Sequence, residues 1–203
     1  MAYLLQGLIL LAFANPFSHK LHLKMGLDCV KCHATAPQSV KAADNNLPVA
    51  ETACKSCHPD GRTIKAPRRT LVTKFNHQHH VKLGSAAPVI LAEIRSKTYF
   101  GPVTPELEAR LTAGSRNACT ACHRGLEANA KVDTSVFPHM ADCLVCHTKI
   151  DPPFTCEKCH DEGPQLRPAS HTPEFFDSHS SKKVEKIGCA ICHGRKFTCQ
   201  GCH

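Results

Sequence analysis

Sustained hydrophobic patterning is confined to a few stretches of this chain. Residues Leu4 to Ala14 are almost entirely apolar and close on Ala12-Phe13-Ala14 ahead of Asn15-Pro16, the small-residue pattern of an export cleavage site. A run this short falls below the roughly 20 residues that span a bilayer. Residues 1–14 are therefore expected to be a signal peptide, with a buried N-terminal helix as the plainer alternative. The basic residues that usually open such a segment are missing, which would place the true start upstream of Met1.

Ordinary helix signals occur together only between residues 88 and 114. Thr104 suits an N-cap, Pro105 the first helical position, Glu106 and Glu108 the first turn, and Gly114 the end, with Leu107 and Leu111 one turn apart. "PVILAEIRSK" from Pro88 reads as a second helix, and the two should pack as a hairpin. Near the C-terminus His171, Phe175 and His179 recur at i, i+4 and i+8, along one helical face. Elsewhere the pattern supports short helices and long loops with almost no sheet, so the fold class is mainly α with extensive loops.

Composition changes this picture. The 42% of apolar residues includes 14 Cys, while Trp is absent and there are only two Tyr and nine Phe among 203 residues. Large core side chains are scarce, and Cys and His together form a set of ligands and attachment points. The net charge is +8, but the basic residues are scattered, which argues against a nucleic-acid partner.

Every cysteine belongs to a C-x-x-C pair, and a histidine follows each pair at once. In chain order, Cys29 and Cys32 precede His33, Cys54 and Cys57 precede His58, and Cys119 and Cys122 precede His123. Cys143 and Cys146 precede His147, and Cys156 and Cys159 precede His160. Cys189 and Cys192 precede His193, and Cys199 and Cys202 precede His203. Chance would produce this with a probability on the order of one in a hundred million, so a chemical rule operates. C-x-x-C-H attaches haem c: two thiols add to the vinyl groups as thioethers and the adjacent imidazole ligates the iron. Zinc ribbons also use paired C-x-x-C but are complete without a trailing His, and a disulfide framework requires no His at all. The expectation is seven covalently bound haem c groups, with about 27 residues of mature chain for each. Stacked haems would then form most of the core, and the apoprotein should not fold.

Eight further histidines, His19, His22, His77, His79, His80, His139, His171 and His179, face seven sixth coordination positions. Met25 and Met140 are the only methionines outside the export segment. Bis-histidine ligation follows for most or all irons, which lowers their potentials relative to Met/His ligation and leaves no vacant place for substrate. Each haem adds two propionates, so seven of them turn +8 into roughly +1 oxidised and −6 reduced. Most of the basic residues are then internal compensation.

Residues 75–160 resemble the class III (cytochrome c3-like) multihaem cytochromes, especially their small triheme variant. That pattern runs F-x-H-x-x-H, C-x-x-C-H, a His four positions before the next C-x-x-C-H, and a last C-x-x-C-H. Here it is met by Phe75, His77 and His80, then "CTACH", His139 ahead of "CLVCH", and "CEKCH". The resemblance implies that His77 caps the haem on His123, His80 the haem on His147, and His139 the haem on His160. An insertion over residues 83–118 departs from the family pattern. The stretch "FSHKLHLKMGLDCVKCH" repeats the opening, with Phe17, His19 and His22, which suggests modular duplication. By the same resemblance His19 would cap the haem on His33 and His22 the one on His58. Register between the two copies makes His79 a spare, since Leu21 holds its place. His171 and His179 match the H-x-x-x-F-x-x-x-H ending of several exported multihaem cytochromes. In those the chain continues past the last motif, so an end at His203 implies either a lost ligand or truncation.

The resulting organisation is a signal peptide at 1–14, a diheme section at 15–66, a basic linker at 67–74, a triheme section at 75–165, and a C-terminal diheme section at 166–203. The reading these features favour is electron transfer in the periplasm or at the cell surface, with redox proteins as partners, among them a membrane-bound or extracellular donor or acceptor. A homo-oligomer or haem-wire assembly is compatible with it. The alternative is a multihaem reductase of a small nitrogen or sulfur oxyanion, which needs one open iron and nearby proton donors; Tyr99 is the only tyrosine in the mature chain.

Overall fold

A computed structural model of the chain describes residues 17–42, 49–60, 72–128, 136–150, 156–161 and 172–175. Within these residues the protein is mainly helical, and the only β-type pairing is an isolated antiparallel bridge between Val72 and His160. Eight α-helices occur among the described residues: α1 (His19–Lys24), α2 (Cys29–Cys32), α3 (Glu51–Lys55), α4 (His77–Leu83), α5 (Ala87–Arg95), α6 (Pro105–Ala113), α7 (Ala118–Cys122) and α8 (Met140–Ile150). Short 3-10 turns cover Ala36–Gln38 and Cys156–Lys158.

The helices are short because they are set by local capping rather than by long amphipathic runs. Ser18 opens α1 by accepting from the Leu21 N–H, and Asn76 opens α4 by accepting from the His79 N–H at 2.8 Å. Asn117 does the same for α7, accepting from Cys119 and Thr120. Gly84, at φ 84°, closes α4 in a conformation that other residues adopt at a cost.

The two helices of the insertion form as their sequence signals predict. Thr104 caps α6 through the Leu107 N–H, Pro105 stands at its first position, and Gly114 ends it. α5 begins at Ala87, one residue before Pro88. They pack as a hairpin, and α5 also lies against α7 and α8.

That contact builds the hydrophobic cluster of the described residues. Ala87, Ile90, Leu91 and Ile94 of α5 meet Tyr99, Phe100, Leu111 of α6, Ala121 of α7, and Ala141, Leu144 and Val145 of α8. Ile90 and Leu111 are fully enclosed. By contrast α1 to α4 bury none of their residues. The insertion therefore supplies a polypeptide core to the section that contains the third and fourth C-x-x-C-H motifs.

Other contacts join the sections. The Gln78 N–H of α4 donates to the Ser39 carbonyl at 2.9 Å, with Ser39 buried, so the N-terminal section docks on the second F-x-H-x-x-H helix. Residues 72–74 at the end of the linker dock too. Besides the Val72 bridge, the Thr73 hydroxyl donates to Asp161 at 2.9 Å and the Lys74 ammonium donates to the Glu157 carbonyl. The export segment and most of the C-terminal section lie outside the described residues. With them go the expected ligands His171 and His179, and the last two motifs: Cys189, Cys192 and His193, then Cys199, Cys202 and His203.

Candidate haem sites

Each F-x-H-x-x-H stretch folds into the same small unit. The residue after its phenylalanine, Ser18 or Asn76, is the helix N-cap, which places the two histidines one turn apart on the helix that follows. Phe17 meets His19 edge-on at 4.8 Å and stacks on His22 at 4.7 Å. Phe75 meets His77 edge-on at 4.7 Å and stacks on His80 at 4.3 Å. The phenylalanine thus orients both imidazoles at once.

The second histidine of each unit has its proton assigned by its partner. Nδ1–H of His22 donates to the Ser18 carbonyl at 2.8 Å, and Nδ1–H of His80 to the Asn76 carbonyl at 2.7 Å. A carbonyl can only accept, so a proton sits on Nδ1, and Nε2 is the nitrogen left to face a metal. His123 is held likewise, donating from Nδ1 to the Val136 carbonyl at 3.2 Å. The Nδ1 atoms of His19 and His77 are buried without a partner. Burial lowers the pKa of both, to about 4 for His77, with charge on His33 adding at His19 and charge on His123 at His77. Burial also lowers His123, chiefly. Neutral imidazole is the ligating form, so these environments suit iron binding.

The histidines then meet in pairs. His19 faces His33 with ring centroids 6.3 Å apart, His22 faces His58 at 6.3 Å, and His80 faces His147 at 6.2 Å. Two imidazoles on opposite sides of one metal, each bonded at about 2 Å with the ring centre about 1.1 Å behind the nitrogen, put their centroids about 6.2 Å apart. The three spacings fit one iron between each pair. Among the described residues no three such side chains converge as a tetrahedral metal site would need.

His77 opens α4, which packs against α7, the helix that leads into His123. His139 precedes α8 with its N–H held by Asp142, and His160 lies in the bridge to Val72; their pairing rests on resemblance alone. His79 is exposed, its ring edge-on to His80 at 5.8 Å.

The cysteines of the described motifs sit at or near the surface, where a macrocycle could reach them. Cys57 is exposed, beside the Ser56 hydroxyl. Cys29, Cys32, Cys54, Cys119, Cys122, Cys143, Cys146 and Cys159 are half-buried. Cys122 and Cys146 pack against the edge of the hydrophobic cluster, so the third and fourth motifs rest on the polypeptide core.

Neighbouring cysteine pairs also approach one another. The nearness of the Cys29 and Cys119 sulfurs pushes Cys29 up and brings Cys119 down to about 7. Burial raises Cys32, with the charge of Cys54 adding. Burial raises Cys143 to about 12, with Asp142, Cys122 and Cys159 adding. Of the motif-bearing helices, α2 with Cys29 and Cys32 lies against α3 with Cys54.

Two features escaped sequence reasoning. One is the carbonyl acceptors of Ser18 and Asn76, whose signal was available: both are N-cap residue types at the same place in the motif. The other is a buried cluster of Tyr99, Arg124 and Asp142, which has no local signature.

Residues 15–77 match the family described as cytochrome c7 and related cytochrome c. The match covers the N-terminal section and the start of the second F-x-H-x-x-H, rather than the whole of residues 75–160, where the class III resemblance lies. The chain is also similar to a high-molecular-weight cytochrome c of Nitratidesulfovibrio vulgaris (strain Hildenborough), with 27% identity over 190 residues. That similarity covers 86% of this chain and 30% of the relative, so the chain spans less than a third of that protein's length. No solved structure matches. With seven C-x-x-C-H motifs, these likenesses make the chain a multihaem c-type cytochrome, a class that carries covalent haem c.

Proposed function

We propose that this chain is an exported electron carrier, working in the periplasm or at the cell surface and holding seven haem c groups with bis-histidine ligation. The observation that carries this reading is the set of three imidazole pairs with centroids 6.2–6.3 Å apart, each joining a C-x-x-C-H histidine to one from an F-x-H-x-x-H helix. Haem c, when bound, supplies a one-electron iron couple whose potential its axial ligands and surroundings tune.

The protein's own groups bind and orient. Paired cysteines would hold each macrocycle, Phe17 and Phe75 set the imidazole planes, and the carbonyls of Ser18 and Asn76 keep the ring protons away from the metal-facing nitrogens. A fully paired set of axial ligands would block a substrate from iron, which favours a carrier over an enzyme. Its partners would be redox proteins.

Intact mass and a spectroscopic redox titration of the purified protein test this reading. Seven covalent haems and complete reversible reduction are expected. Fewer haems on fully matured protein, or centres that cannot be reduced, would overturn it.

A further inference from the structure

The insertion at 83–118 departs from the triheme pattern, and the core it forms ends in a polar cluster. Tyr99 follows α5 and is 4% exposed. Its hydroxyl donates to Asp142 Oδ1 at 2.8 Å. The other carboxylate oxygen, Oδ2, accepts from Arg124 Nη2 at 2.7 Å and from the His139 backbone N–H at 2.9 Å. Arg124 Nη1 donates to the Ala121 carbonyl at 2.9 Å. Both members of the ion pair are almost wholly buried.

The cluster's position gives it a role. Ala121 lies inside "CTACH" and Arg124 directly follows His123, so Arg124 is tied to the third haem motif at two points. Asp142 directly precedes Cys143 of the fourth motif and holds the backbone of His139. The carboxylate thus stands between two haem motifs, compensated by one cation and one neutral hydroxyl. A buried charge this close to a redox centre acts through a low dielectric, where each compensating donor matters.

We propose that Tyr99 is a positioning residue that holds and partly neutralises the Asp142 carboxylate between the haems on His123 and His147, and thereby raises their reduction potentials. The inference rests on the haem assignment above. The insertion then tunes two particular haems in addition to packing against the helices that carry their motifs. Removing the hydroxyl concentrates negative charge on Asp142 and favours the ferric forms; removing the carboxylate charge leaves Arg124 and favours the ferrous forms.

Haem-loaded Tyr99→Phe, Asp142→Asn and the double variant, compared with the parent by redox titration and electron paramagnetic resonance, test it. Full haem content in the parent, by mass, secures the underlying assignment first; its failure there would be a failure of the function and not of this inference. Tyr99→Phe is expected to lower the midpoints of one or two haems and leave the others in place. Asp142→Asn should raise the same midpoints, and the Tyr99→Phe effect should shrink in that background. A purely structural role would give no opposed signs. Unchanged midpoints in Tyr99→Phe, shifts of the same sign in both variants, or an undiminished Tyr99→Phe effect in the double variant would overturn the proposal. If Asp142→Asn does not accumulate with haem, the Tyr99→Phe midpoints decide alone: a local downward shift supports the proposal and no shift overturns it.

Discussion

The imidazole rings of His80 and His147 stand 6.2 Å apart, centre to centre, and tilt by 35° to one another. They come from different elements, α4 and α8, and each belongs to a motif with its own local reason for folding. The spacing suits a single metal between them, and His79, one residue from His80, points its edge at His80 instead.

The pairing distinguishes the two neighbouring histidines. His80→Ala should convert one haem to a high-spin form that binds carbon monoxide, while His79→Ala should leave the optical and paramagnetic spectra as they are. Carbon monoxide difference spectra of both variants check this, and a new binding site in His79→Ala would reverse the assignment of the two residues.

Leu111 is fully enclosed in the cluster that joins α5, α6, α7 and α8. Truncation there should cost about 2–5 kcal/mol, from lost burial and the cavity left behind. Leu83, at 71% exposure, should tolerate alanine within about 0.5 kcal/mol. Denaturant titrations followed by circular dichroism compare the two, and equal effects would mean that the insertion does not form the core described.

Gly101 permits a close approach. A Cβ at this position would lie 2.8 Å from Tyr99 Cε1 and 3.1 Å from the Ala141 Cβ. Gly101→Ala should therefore displace the Tyr99 ring and destabilise the protein by about 1–3 kcal/mol. Thermal melts measure the loss, and a substitution without effect would show that the ring has room to move.

The haem chemistry was legible because it is written locally. C-x-x-C-H and F-x-H-x-x-H each carry their geometry within a few residues, and Thr104, Pro105 and Gly114 bound α6 as their residue types dictate. Sequence could also set the two F-x-H-x-x-H copies in register, because a Phe and two His at fixed offsets form one packing unit. It could not show where the apolar residues of the insertion would go. Among the described residues Ile90, Leu91, Ile94, Phe100 and Leu111 gather against Leu144 and Val145 into a polypeptide core, beside whatever interior the macrocycles would form. The contact of Tyr99 with Asp142 was equally hidden: Asp142 reads as an ordinary first-turn acid of a helix, and only tertiary packing brings the phenol to it. Long-range contacts between residues of common types leave no periodic trace.

Electron paramagnetic resonance of the ferric protein, with optical spectra before and after carbon monoxide on the reduced form, tests the bis-histidine assignment most directly. Low-spin signals only and no carbon monoxide adduct are expected. A high-spin ferric signal with matching carbon monoxide uptake in the unaltered protein would contradict it, since at least one iron would then lack its second imidazole.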